Sequence, residues 1–197
     1  MFFKCAHHAP ADDQSSGRVV SNGSTSRIVD IHCHRECAAA AEMMKTEAER
    51  VGFAALSFGS ELTKEVNRQQ LIDIKPKMES LDKRIADMDK MGVDIQVVSI
   101  SPYQYYYWAE AEVGREVSKT INDDLAEAVG VKPDRLLAFG TVPLQNTEMA
   151  IDELERCISE LGFKGIEINS QIAGEDLSSP RLAPFWAKVE ELDIVVF

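Results

Sequence analysis

From Ile28 onward, short apolar runs alternate with longer stretches whose apolar positions recur every three or four residues. The runs Ile28–His32, Val93–Ile100, Leu136–Val142, Gly165–Asn169 and Ile194–Phe197 predict strands, and their near-continuous apolarity is that of buried parallel strands. Helices are predicted between them over 37–51, 77–91, 109–129, 147–161 and 180–192. In the second of these, Met78, Leu81, Ile85 and Met88 form one stripe, and Gly92 stands where a left-handed residue closes a helix. Asn146 or Thr147 can cap the fourth, and Pro133 lies just beyond the third. Residues 36–75 read as a mixed excursion: the Ala-rich helix, an apolar stretch from Gly52 to Gly59, then a polar segment. Residues 1–27 are rich in Ser, Asn, Gly, Asp and Ala and predict a disordered polar tail, in which His7-His8 is incidental.

Strand and helix in alternation predict an α/β domain over 28–197 with a parallel sheet. A doubly wound open sheet and an eight-stranded barrel both satisfy that order. The first strand–helix junction has no Gly-x-Gly-x-x-Gly turn, which disfavours the dinucleotide-binding sheet. It carries instead Asp30-Ile31-His32-Cys33-His34. Side chains alternate along a strand, so His32 and His34 share a side and Cys33 faces away. Paired imidazoles on a rigid strand are half of a metal site. Polar closure of a strand end explains the same residues about as well on local grounds. Barrel enzymes place their sites at strand C-terminal ends, which favours the metal reading.

Composition narrows the choice of partners. The chain has 197 residues, 45% hydrophobic, with a net charge of −12. That balance argues against nucleic acid and anionic membrane, and no run is long enough to span a bilayer. The first residues lack the apolar core of a secretory signal, and Asp12 and Asp13 count against a transit peptide. Cys5, Cys33, Cys37 and Cys157 have no framework spacing and read as reduced thiols of a cytoplasmic protein. A zinc knuckle at Cys33, His34 and Cys37 lacks the second Cys/His pair it would need.

Several segments, in order, carry a resemblance. They are Asp30–His34, Arg84–Asp94, Tyr107-Trp108-Ala109, Asn122–Ala126, Gly140–Gln145, Glu153–Arg156, Leu161–Gly165, Pro184–Ala187 and Glu190-Glu191-Leu192. Together they resemble the amidohydrolase superfamily, in the branch of aminocarboxymuconate-semialdehyde and γ-resorcylate decarboxylases. The resemblance implies a TIM-type (β/α)8 barrel holding one divalent metal, zinc first and manganese second. It implies non-oxidative decarboxylation of an aromatic or unsaturated carboxylic acid, or hydrolysis. It also admits a homodimer. The family's ligands are two histidines of strand one, a His ending strand five and an Asp ending strand eight, with a catalytic His on strand six. Only the first pair carries over, onto His32 and His34. The sequence stops inside predicted strand five, so the expectation is the first half of a barrel of about 250 residues, a fragment catalytically incompetent alone.

Further residues are candidates for substrate contact. The loop from Ser99 and Ser101 to Trp108 follows strand two, where aromatic rings can stack on a planar substrate and Tyr hydroxyls can orient a carboxylate. Tyr103 and Trp108 are its named candidates, packing being the stronger role for Trp108. On strand four, Glu167 and Asn169 alternate with Ile166 and Ile168. Other branches of the superfamily place a metal-bridging ligand on this strand. The one-metal resemblance makes Glu167 a poor ligand candidate and Asn169 the better substrate contact. Arg68 is the nearest arginine for a substrate carboxylate, against a solvated loop arginine as the plainer reading. Asp30 and Asp94 read as structural. The competing functions are thus a decarboxylase, a hydrolase, and an inactive half-barrel acting by association.

Overall fold

The structure is a computed structural model, and it describes residues 26–51 and 59–197. The expected tail up to residue 25 and most of the apolar 52–59 stretch lie outside the described residues. Five parallel strands lie side by side. Strand β1 (Val29–Arg35) pairs with β2 (Ile95–Ile100), which pairs with β3 (Leu136–Ala138). Gly140 then bridges to β4 (Gly165–Ile166), which pairs with the last strand. Two short strands, β5 (Gln171–Ile172) and β6 (Glu175–Asp176), form a hairpin that the sequence pattern did not announce. The last strand is β7 (Val195–Val196).

Six α-helices are described: α1 (Ala38–Val51), α2 (Glu61–Glu79), α3 (Leu81–Met91), α4 (Ala111–Val131), α5 (Thr147–Ser159) and α6 (Ala183–Leu192). The helix predicted over 77–91 is two helices. Ser80 adopts an extended backbone, closes α2 and accepts a hydrogen bond from the Lys83 backbone N–H as the cap of α3. The polar segment before it is α2, none of whose residues is buried, so no apolar stripe betrayed it. Gly92 ends α3 at φ 70°, and Asn146 caps α5 through Met149.

The core lies between sheet and helices. Val98, Ile100, Leu136, Ala138 and Ile166 meet Met88, Val117, Ile121, Leu125, Ala150 and Leu154, all buried. Gly165 is required where β4 meets β7, because a Cβ there would stand 2.1 Å from the Val195 carbonyl oxygen. The strands at the two ends of the sheet depart from the buried pattern their apolarity predicts. Ile28, Val29 and Ile31 on one side, and Val195 and Phe197 on the other, are exposed, because β1 and β7 each have one strand neighbour among the described residues. Among the described residues no helix is long and apolar enough to cross a membrane.

Candidate metal centre

Parallel pairing in chain order brings the C-terminal ends of β1, β2 and β4 together. There His32, His34 and Glu167 each present a ligand atom, all within 4.8 Å of one another. The two imidazoles meet edge to face, 5.0 Å between centroids, on one side of the strand. His32 is exposed, His34 half-buried and Glu167 buried. Cys33 turns away from them, donates its thiol to the Val97 carbonyl oxygen, and is pushed up to about 12 mainly by burial.

The surroundings orient these groups. Ser99 Oγ, at the end of β2, donates to the Cys33 carbonyl oxygen at 3.4 Å and so accepts from His34 Nδ1 at 3.1 Å. That assignment puts the His34 proton on Nδ1 and leaves the Nε2 lone pair for an ion. Burial holds His34 below its usual range; the Glu167 charge opposes this and His32 adds to it. Tyr105 donates its hydroxyl to Glu167 Oε1 at 2.8 Å. Burial first, and then the Glu167 charge, push that phenol far above its ordinary range, so it remains a donor at neutral pH. The backbone of Tyr106 is left-handed at φ 50°, and the rings on either side of it, Tyr105 and Tyr107, stack 5.4 Å apart.

The donor set fits a divalent ion. Glu167 Oε2 is buried and has no hydrogen-bond partner. An unpaired carboxylate oxygen in the interior is costly unless a cation or donor meets it. Two imidazole nitrogens and one carboxylate are donors that zinc and manganese accept.

The other predicted contacts are distributed differently. Asn169 is exposed, two residues beyond Glu167. Tyr103 is half-buried, and its hydroxyl engages Glu36 and Ser101. Trp108 is 37% exposed and stands edge-on to Tyr106, a packing contact. Arg68 is exposed on α2, where its guanidinium is taken by Glu65 one turn earlier. Glu167, given low odds from sequence, is the third member of the cluster. Ser99 and Tyr105 are the supporting groups, and nothing in the local sequence singled out Ser99 at the end of its strand or Tyr105 among the tyrosines of its loop.

The amidohydrolase family model matches residues 29–197. The chain is 40% identical over 116 residues to 2-amino-3-carboxymuconate-6-semialdehyde decarboxylase of Dictyostelium discoideum, covering 59% of this chain and 32% of that protein. It is 33% identical over 159 residues to gamma-resorcylate decarboxylase of Rhodococcus jostii, covering 76% and 45%. Among solved structures, 5-carboxyvanillate decarboxylase of Novosphingobium aromaticivorans, complexed with manganese and a nitrobenzoic acid, superposes with a TM-score of 0.72 at 24% identity, over 87% of this chain and 49% of that one. The 2,6-dihydroxybenzoate decarboxylase from Rhizobium gives 0.66 at 26%, over 86% and 48%. The chain thus covers 32% and 45% of the lengths of these two relatives. Its five parallel strands and their helices are part of a TIM-type barrel. By sequence match and by fold, the chain belongs to the amidohydrolase family.

Proposed function

We propose that this chain contributes the first-strand half of the metal centre of a non-oxidative decarboxylase, a carbon–carbon lyase acting on an aromatic or unsaturated carboxylic acid. The observation that carries the reading is the convergence of His32, His34 and the unpartnered Glu167 oxygen at the strand ends. In this reading His32 and His34, with Glu167 beside them, hold one divalent ion, zinc or manganese. When bound, that ion supplies Lewis acidity to a substrate oxygen.

The chain's own groups do the rest. Ser99 fixes the His34 tautomer, and Tyr105 fixes the Glu167 carboxylate. The stacked rings of Tyr105 and Tyr107 offer a buried aromatic wall that limits water near a planar substrate. Asn169 is the candidate for a polar substrate contact at the rim. Decarboxylation is preferred over hydrolysis because both relatives compared above are named decarboxylases.

The test uses the protein as the cell makes it, loaded with manganese or zinc. Carbon dioxide release from hydroxybenzoates is followed in the wild type and in His32→Ala. Release that vanishes in the variant is expected. Ester or amide cleavage without carbon dioxide release would move the assignment to a hydrolase, and equal activity in both proteins would remove the histidine pair from the chemistry.

A further inference from the structure

The pairing of β1 with β2 contains an irregularity at the histidines. Asp30 pairs with Gln96 and Cys33 with Val98, so Ile31 and His32 together oppose Val97 alone. This is a one-residue bulge in a parallel ladder, an uncommon place for one, and bulges beside sites re-aim side chains. The extra residue takes the His32 backbone N–H out of the ladder. Asp30 Oδ1 accepts that N–H at 3.2 Å. Gln96 Nε2 donates to the other Asp30 oxygen at 2.9 Å, and Arg84 Nη1 donates to Gln96 Oε1 at 2.9 Å. The same guanidinium donates from Nη2 to the His34 carbonyl oxygen at 2.5 Å. One planar group on α3 therefore reaches His34 directly and His32 through two side chains.

We infer that Arg84, acting through Gln96 and Asp30, is a positioning residue that holds the bulged backbone of β1 and thereby sets the placement of His32 and His34 for metal. The inference rests on the metal-centre reading above and extends it to residues outside the ligand set. Arg84 is 7% exposed and Gln96 5% exposed, and Arg84 Nε is buried without a partner. A site that only needed filling would be served better by an apolar side chain, since a buried guanidinium with an unmet donor is costly. The chain of bonds also has one polarity. Arginine donates to glutamine, glutamine donates to Asp30, and the His32 amide donates to Asp30 from the far side. Asp30 must accept on both oxygens, which its amide isostere cannot do.

The test is Co2+ titration of the full chain, followed by visible absorption, beside urea unfolding of the metal-free forms. Wild type, Asp30→Asn, Arg84→Met and Arg84→Lys are compared. Removing groups that orient metal ligands weakens affinity by about 10- to 100-fold. Asp30→Asn and Arg84→Met are expected to fall in that range with altered ligand-field bands. Arg84→Lys keeps the charge but loses the planar fork, and is expected to leave the bands altered. If Arg84→Met does not fold, the isosteric Asp30→Asn carries the test. Variants that lose stability yet bind Co2+ with wild-type affinity and spectrum would overturn the positioning role and leave the metal centre standing. Full recovery in Arg84→Lys would overturn it in favour of charge alone. A wild type that binds no Co2+ would overturn the metal centre itself, and the positioning role with it.

Discussion

Two of the polar clusters among the described residues are completed in opposite ways. The first joins α4, α5 and the segment after β3. Asn122 donates to the Thr141 carbonyl oxygen and to Glu153 Oε1, and accepts from the Thr141 N–H. Glu153 receives Arg156 on both oxygens, and Arg156 also pairs with Asp123. Hydrogen bonds to Glu153 push the Arg156 guanidinium above its ordinary range, and burial opposes them. The carboxylate and the amide of this cluster are fully engaged. In the second cluster, at the strand ends, Glu167 has one oxygen bonded to Tyr105 and the other with no partner, beside two histidines. In the first cluster the charged carboxylate is met on both oxygens, although the Thr141 hydroxyl is left without a partner; in the second the charged carboxylate itself is left half-met, and that leaves room for a cation.

The largest expected effect breaks the saturated side. Glu153→Leu strips a buried carboxylate from Arg156 and Asn122 and is expected to cost about 3 kcal/mol, read as a shift in the urea midpoint. A change below about 1 kcal/mol would mean that the network is ornamental to the fold.

Glu167→Gln is expected to do the reverse. It removes a buried, half-paired charge, so the metal-free protein should be as stable as wild type or more so, while divalent-ion binding weakens by at least about tenfold. Calorimetric titration with manganese reads the second quantity. Unchanged affinity would exclude Glu167 from the donor set.

A smaller effect tests the helix that the sequence pattern missed. Arg68→Ala on exposed α2 removes only its contact with Glu65 and should change stability by less than about 0.5 kcal/mol. A loss of the proposed carbon dioxide release without a change in stability would return Arg68 to the substrate.

The smallest effect lies on the surface, in the clamp between Glu175 and Arg181. Hydrogen bonding from Arg181, and then from Ser179, holds the Glu175 carboxyl below its ordinary range. A depressed carboxyl contributes stability above its unfolded value that is lost as pH falls through the folded one. The acid side of the unfolding profile, below about pH 4.5, should therefore be slightly flatter in Glu175→Gln. A steeper acid limb in the variant would reverse the sign.

Legibility followed the range of the interactions. The order of strands and helices, the Gly92 stop and the Asn146 cap are local, and the apolar pattern and turn chemistry specify them. The break at Ser80 was hidden because Leu81, Ile85 and Met88 of α3 continue the spacing of Met78 in α2. Helix α2 was unreadable for the opposite reason, having no buried face to impose a period.

For the site, the sequence by itself pointed to the His32/His34 pair, because the alternation of an unbroken strand predicts both rings on one side. It also predicted that Cys33 points elsewhere. Only the tertiary structure decided the third member of the cluster and the frame behind the pair. Glu167 meets Tyr105 across 62 positions of sequence, Ser99 meets His34 across 65, and Asp30 meets Gln96 across 66. Such meetings leave no local signature, because parallel strands join only after a helical crossover and pair in a register that the whole sheet sets. A one-residue bulge at His32 changes that register without leaving a trace in the apolar pattern.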